Sequence, residues 1–278
     1  MPSNKTSRTN ILWQESVGDQ WQLYAPPTRP SKSECAIWRE HLAKKKHART
    51  LVLGATPELR DISHSLKHDV TLIDVSLSMM QSMQRFMRVR EPQETWVRAN
   101  WITNPLQSAH FDFVIGDLVM GNVPFALQPK FLETVARVLK PRGYFIHRTF
   151  GGFPYSVQDT YKRFSRYAHT PLSPLHDNEI CLDLLNTSWN PKTFACETTV
   201  VRQKIRRFLA TCALGERKGM RFMRDRFNLL FCGEKMWWTS PREISERMMR
   251  KHFRIIARVS GNDHALTESM PIYILQKI

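Results

Sequence analysis

A chain of 278 residues, 42% hydrophobic and 24% charged, can bury a sizeable core and has the composition of a globular protein. Its 41 Lys and Arg against 25 Asp and Glu leave a formal net charge of +16, which draws anions of every class without naming one. No apolar run reaches the ~18 residues that cross a bilayer, which argues against membrane-spanning helices.

The opening MPSNKTSRTN is polar and lacks the apolar stretch of a secretion signal, so a cytoplasmic protein is expected. The five cysteines, Cys35, Cys181, Cys196, Cys212 and Cys232, form no CxxC or short Cys/His pattern. They read as reduced thiols, and no metal is expected.

Residues 1–30 look irregular, with Trp13, Trp21 and Tyr24 ahead of a proline-stiffened Pro26-Pro27-Thr28-Arg29-Pro30. Ser31 can cap a helix over roughly 32–46 whose apolar face holds Ile37, Trp38 and Leu42. Thr50–Leu53 reads as a short buried strand closing on Gly54, and Thr56 with Pro57 as the start of the next helix. A second strand, 70–73, ends at Asp74, and Ser76 caps a helix carrying Met79, Met80 and Met83. A third strand at about 95–99 runs into Asn100-Trp101, and a fourth, 111–115, into Gly116-Asp117. A helix over about 128–140, a turn at Pro141-Arg142-Gly143 and a strand 144–147 follow.

Five strand–helix alternations in about a hundred residues, with strands apolar on both faces, are the signature of a parallel sheet covered on both sides. The alternation stops from about 151 to 235, a stretch that reads as an inserted cap with basic helices near 198–213 and 216–230. Strand and helix resume with Trp237-Trp238, a helix near 241–251, a strand 255–259 and a last strand 271–275.

Ligands of such sheets sit outside the carboxyl ends of the strands, where every notable polar residue above falls. Gly54 lets a ligand approach the backbone, the following helix start offers free N–H groups, and Asp74, 20 residues on, can accept both hydroxyls of a ribose. The loop is not the glycine triplet of a dinucleotide site, because Thr56 and Glu58 stand where further glycines belong.

These residues resemble the class I S-adenosylmethionine-dependent methyltransferases, in the region from about 21 to 147 and again near the C-terminus. Asp74-Val75-Ser76-Leu77-Ser78-Met79 is similar to that family's acidic ribose motif, and Asn100-Trp101 stands where an aspartate and its neighbour flank the adenine. Gly116-Asp117 resembles the opening of the fourth motif, and 138–143 the turn before the fifth strand. The segment Trp21 to Ser31 is similar to a small-molecule-type subgroup. The resemblance implies an α/β, Rossmann-like doubly wound fold with a mostly parallel seven-stranded sheet and a helical cap. It divides the chain into a core over 1–150, a cap over 151–235 and a returning core segment over 236–278.

The implied cofactor is S-adenosyl-L-methionine. Its implied contacts are Gly54, Ala55 and Thr56 in the loop, then Asp74, Val75, Ser76 and Met79 around the ribose. Asn100 and Trp101 fall to the adenine, and Tyr24, Arg29, Asp117 and Leu118 to the methionine end. Methyl transfer is mainly a matter of positioning, with a general base needed only if the acceptor must lose a proton. The strand-end candidates for catalysis are Asp117 and His147.

The acceptor is less legible. Tyr155, Tyr161, Trp189, Trp237 and Trp238 can wall a flat molecule or simply pack a core. Arg202, Lys204, Arg206, Arg207, Arg217, Lys218, Arg221, Arg224 and Arg226 crowd one window, and fit a solvated face, an anionic acceptor or carrier, or nucleic acid. No accessory nucleic-acid module, no Asn/Asp-Pro-Pro-aromatic signature and no Pro-Cys pair is present. Three readings therefore stand: a methyltransferase acting at oxygen or nitrogen of a small molecule, an RNA or DNA methyltransferase using the basic cap, and a cofactor-binding protein without turnover. The sequence specifies neither the acceptor nor the oligomeric state.

Overall fold

The apolar strands assemble into one seven-stranded sheet in the order β3-β2-β1-β4-β5-β9-β8, here seen in a computed structural model that describes residues 18, 21–151, 157–171 and 173–278. The strands are β1 (Arg49–Leu53), β2 (Asp69–Asp74), β3 (Glu94–Arg98), β4 (Phe111–Asp117), β5 (Leu139–Arg148), β8 (Phe253–Val259) and β9 (Ile272–Lys277). All neighbours pair parallel except β9, which lies antiparallel between β5 and β8. Trp13 and Tyr155 lie outside the described residues.

Alternation along each strand divides the core into two layers. Val52, Phe113, Ile115 and Ile146 face one cluster, and Leu51, Leu53, Val114 and Phe145 face the other. Crossover helices cover both faces, as a parallel sheet requires. These are α1 (Lys32–Leu42), α2 (Pro57–Ser65), α3 (Leu77–Gln84), α4 (Gln128–Val138) and, later in the chain, α9 (Arg242–Met249).

The helix starts are set locally. Ser31 and Glu34 form a reciprocal capping box on α1, and the Ser76 hydroxyl accepts from the Met79 N–H on α3. Thr56 occupies the capping position of α2 without a side-chain cap bond, leaving Pro57 to set the first turn. The buried Arg60 of α2 holds Glu94 of β3 through two hydrogen bonds of 2.9 and 2.7 Å, which fixes that helix against the sheet.

The cap contains more helix than its sequence suggests: α5 (Val157–Ala168) and α6 (Pro174–Asn186) precede α7 (Thr198–Thr211) and α8 (Leu214–Leu230). Trp237-Trp238 does not rejoin the main sheet. Met236–Trp238 forms β7, paired antiparallel with β6 (Ala195–Glu197) in a separate two-stranded sheet, because its partner lies in the cap. Buried cap residues such as Cys181, Leu184, Val201 and Phe227 continue the cluster on the Val52 face, so cap and core share one interior.

Candidate active site

The carboxyl ends of the parallel neighbours β2, β1 and β4 lie side by side, at the position where such sheets hold their ligands, hereafter the crevice. Gly54 closes β1 at φ +82°, a left-handed conformation suited to glycine. A Cβ built on it would lie 3.6 Å from the Trp101 ring and 3.9 Å from the Asp74 Oδ2. The Ile73 carbonyl accepts both the Gly54 N–H and the Trp101 indole N–H, each at 2.9 Å, and so ties these residues together.

Asp74 Oδ1 accepts the Ser76 N–H at 2.8 Å. Burial raises the Asp74 carboxyl to about 6, against the opposing hydrogen bonds from Ser76 and Val75. A carboxylate poorly solvated at a strand end gains from new donors, which is what a ribose diol supplies. Ala55 and Met79 are buried beside this crevice, and Val75 is exposed. Asn100 is exposed too, its Oδ1 accepting from the Ile102 N–H at 2.8 Å.

Arg29 pairs with Glu58 on the first turn of α2 and lies over the Trp21 ring at 5.5 Å. Tyr24 is turned the other way. Its hydroxyl donates to the Leu230 carbonyl at 2.8 Å, joining the N-terminal segment to the cap.

At the ends of β4 and β5 stands a buried ion network with no counterpart among the sequence expectations. Arg148 is fully buried and donates to Asp117 at 2.7 and 3.0 Å, to Glu34 at 2.6 Å and to the Pro27 carbonyl at 3.0 Å. Glu34 also meets His264 at 3.1 Å, so one arginine clamps helix α1, the proline loop and two strand ends. Burial pushes Glu34 upward, yet Arg148 and His264 outweigh it and hold this carboxyl down at about 2. For Asp117 burial prevails over Arg148, leaving it at about 6. The bidentate grip makes Asp117 a structural anchor of the crevice floor, not a free base.

His147 is not brought to the crevice. It precedes Arg148 by one residue and therefore faces the opposite layer. There its ring stacks on Phe145 at 4.4 Å and Tyr273 at 5.9 Å, fully buried, with no side chain bonding either ring nitrogen among the described residues. Burial drives its pKa down to about 3, so it stays neutral in ordinary buffers. His147→Phe is accordingly expected to leave methyl incorporation within about twofold of wild type, a barrier change on the order of 0.4 kcal/mol. Loss of incorporation in a folded variant, checked by circular dichroism, would contradict that placement.

Beside the β4 end, a partly open, largely apolar cavity of about 30 Å³, room for about two waters, lies between core and cap. Leu118 and Asn122 supply the core wall, and Leu185, Phe231, Lys235 and Trp237 the cap wall. Leu118 adopts φ +54°, an unusual conformation for leucine, and its N–H donates to the Arg148 carbonyl at 3.1 Å. A larger groove, about 420 Å³, lies by Lys45, Lys140 and Asp112 near the amino ends of the strands, away from the crevice.

The matching family model is that of a methyltransferase domain, and it covers residues 53–143. Over those residues the chain carries a methyltransferase domain. The match begins on the last residue of β1 and takes in the loop at Gly54, Asp74, Trp101 and Asp117.

Solved structures share the fold of the methyltransferase. A Rhodobacter sphaeroides protein that bears the name of zinc-dependent alcohol dehydrogenases is similar at 15% identity and TM-score 0.64, over 98% of this chain and 100% of that one. A Pyrococcus horikoshii protein is similar at 13% identity and TM-score 0.57, over 96% and 100%. A Methanosarcina mazei protein named as an S-adenosylmethionine-dependent methyltransferase is similar at 15% identity and TM-score 0.51, over 86% and 96%. No curated protein matches the sequence. No described helix is long and apolar enough to cross a membrane, and no three described His, Cys, Asp or Glu side chains stand together as a metal site.

S-adenosylmethionine is the cofactor of this domain. The open cradle at Gly54, which a side chain would fill, and the desolvated carboxylate of Asp74 opposite it fit an adenosine. Gly54→Ala is expected to cost about 1 kcal/mol of stability through its positive φ. The added methyl also narrows the cradle, so affinity for S-adenosylhomocysteine should fall by at least about tenfold, or 1.4 kcal/mol. Calorimetry alongside thermal unfolding separates the two effects.

Proposed function

We propose that this methyltransferase acts at oxygen or nitrogen of a small molecule held where cap meets core. The observation that carries this reading is the small, partly open and largely apolar cavity at Leu118, Asn122, Phe231 and Trp237, directly beyond the end of β4. A small apolar recess suits a compact acceptor better than a nucleic-acid strand.

In this reading Asp74 grips the ribose and Gly54, Ala55 and Thr56 give backbone room beside it. Val75, Ser76, Met79, Asn100 and Trp101 border the adenine. Arg29, steadied by Glu58 and Trp21, reaches the cofactor's carboxylate, while Tyr24, Asp117 and Leu118 shape the methionine end. The cofactor supplies an electrophilic methyl when bound. The protein's own work is orientation and exclusion of water, an effect of several kcal/mol in well-positioned reactions.

Much of the basic window holds the cap together. Arg202 donates to the Phe231 and Gly233 carbonyls at 2.5 and 2.8 Å, Arg226 pairs with Asp177 at 3.1 Å, and Lys204 bonds the Thr187 carbonyl. Arg206, Arg207, Lys218 and Arg221 remain exposed and keep a nucleic-acid acceptor in view.

A labelled-methyl assay on cell extract, divided into small-molecule, nucleic-acid and protein fractions, tests the reading. Label in the small-molecule fraction is expected. Label confined to nucleic acid would transfer the assignment to the basic helices, and no label anywhere despite cofactor binding would favour a protein without turnover.

A further inference from the structure

Helices α7 and α8 of the cap form a hairpin joined at Cys212-Ala213, and its outward side carries charge of one sign. Ile205 and Phe208 of α7 are buried, as are Met220, Met223 and Phe227 of α8. That turns positions 206, 207 and 210 of the first helix and 214, 218, 221 and 222 of the second to solvent. Arg202 bonds the Asn228 Oδ1 at 2.9 Å, which sets the register of the antiparallel pair. One turn further in, Arg206 comes opposite the turn of α8 that carries Arg221 and Arg224.

Four exposed cations of this face, Arg206, Arg207, Lys218 and Arg221, have no ion pair or side-chain hydrogen bond among the described residues. Cations elsewhere are paired: Arg60 with Glu94, Arg148 with Glu34 and Asp117, Arg163 with Asp183. The acids nearby are already taken. Asp225 holds Arg224 at 2.8 Å, and Glu216 is turned to Ser165 and the Ala213 N–H. Four like charges kept together without counter-charges repel, and a polyanion relieves that repulsion while releasing its own condensed ions. Phe222, 38% exposed and four residues after Lys218, puts an aromatic ring on the same face, on which a base can stack.

We propose that the α7–α8 face binds single-stranded nucleic acid, its phosphates meeting Arg206, Arg207, Lys218 and Arg221 and one base stacking on Phe222. Contacts of this kind grip the backbone and carry no sequence. An acidic protein is the competing partner, and it supplies charge but no base for Phe222. The strand is a partner held by the cap, not the methyl acceptor, so the inference goes beyond the small-molecule reading and does not depend on it.

The test uses the full chain and a short fluorescein-labelled oligouridylate, followed by anisotropy over a series of salt concentrations. With four phosphate contacts, log affinity should fall against log salt with a slope of about −3. Arg206→Gln, Arg207→Gln, Lys218→Gln and Arg221→Gln together should weaken binding by at least about tenfold and flatten that slope. Gln favours helix, and circular dichroism checks that the hairpin is kept. Lys46, Lys67, Lys251 and Arg254 are exposed cations of the core. Changing those four to Gln lowers the net charge equally and should leave affinity within about threefold at physiological salt. Phe222→Ala should weaken binding about fivefold, and poly-L-glutamate should compete at least about tenfold less well than unlabelled oligouridylate.

An equal loss in the core variant would assign the binding to net charge alone. Undiminished binding in the cap variant or in Phe222→Ala would remove this face from it, and effective competition by poly-L-glutamate would make the partner an acidic protein. Each of these overturns the proposal. Methyl label entering the oligonucleotide would overturn the small-molecule reading instead and leave this face in place.

Discussion

Arg148→Met is expected to be the most destabilising single substitution in the core, by about 3–5 kcal/mol. The arginine has no exposed surface and satisfies two buried carboxylates, Glu34 and Asp117, together with the Pro27 carbonyl. Removing it leaves both acids desolvated, a larger penalty than the lost hydrogen bonds alone. Against a usual total of roughly 5–15 kcal/mol, such a loss should lower the melting temperature by on the order of 10 °C.

The pH dependence carries its own sign. In the wild type, Glu34 is depressed to about 2 from 4.5, so its contribution is present above 4.5 and is lost as pH falls toward 2. Without the guanidinium, burial raises both acids, the folded state binds more protons than the unfolded chain, and the variant should grow more stable on mild acidification. Adding Glu34→Gln to Arg148→Met should restore part of the loss. Thermal unfolding followed by circular dichroism at several pH values measures all of this. A variant as stable as wild type, with the same pH profile, would remove the network from its clamping role.

Asp74→Asn should separate stability from binding. The side chain is nearly isosteric and can still accept the Ser76 N–H, but it carries no charge to offer a ribose. Loss of charged hydrogen bonds should weaken S-adenosylhomocysteine by about 1–3 kcal/mol, or roughly five- to 150-fold. The free protein should meanwhile become more stable near neutral pH, because Asp74 is raised to about 6 from 3.8 and its ionised form is costly there. For the same reason wild-type affinity should be full above about 7 and decline as pH drops through 6, while the Asn variant shows no such slope. Titration of both proteins across pH 5–8, with melting curves of the free forms, checks the three outcomes. A variant of unchanged affinity would take Asp74 out of the site.

The crevice was legible because its signals are local. A short apolar strand, one glycine, a cap residue and an acid 20 positions on are set by neighbouring residues, and the strands at 49–53 and 69–74 place Gly54 and Asp74 as expected. The clamp was not legible, since Glu34 lies 114 residues from Arg148 and 230 from His264, and an ion pair at such separation leaves no periodic trace. His147 shows how little separates the two cases. The strand continues one residue further than its apolar run, and a period of two then gives the crevice side to Arg148 and the core to histidine.

The cap misled for a related reason. Met236–Trp238 has the hydrophobicity of a core strand, but its partner Ala195–Glu197 is 41 residues upstream inside the cap. Helix α6 buries Ile180, Cys181, Leu182, Leu184 and Leu185 in near succession, without the polar face that marks a surface helix.

Titration calorimetry of the full chain with S-adenosylhomocysteine, set beside NADH under the same conditions, probes the central claim most directly. A crevice built around Gly54 and Asp74 without a phosphate-binding glycine triplet should give a saturable one-to-one heat with S-adenosylhomocysteine and none with NADH. Saturable binding of NADH with no response to S-adenosylhomocysteine would contradict it.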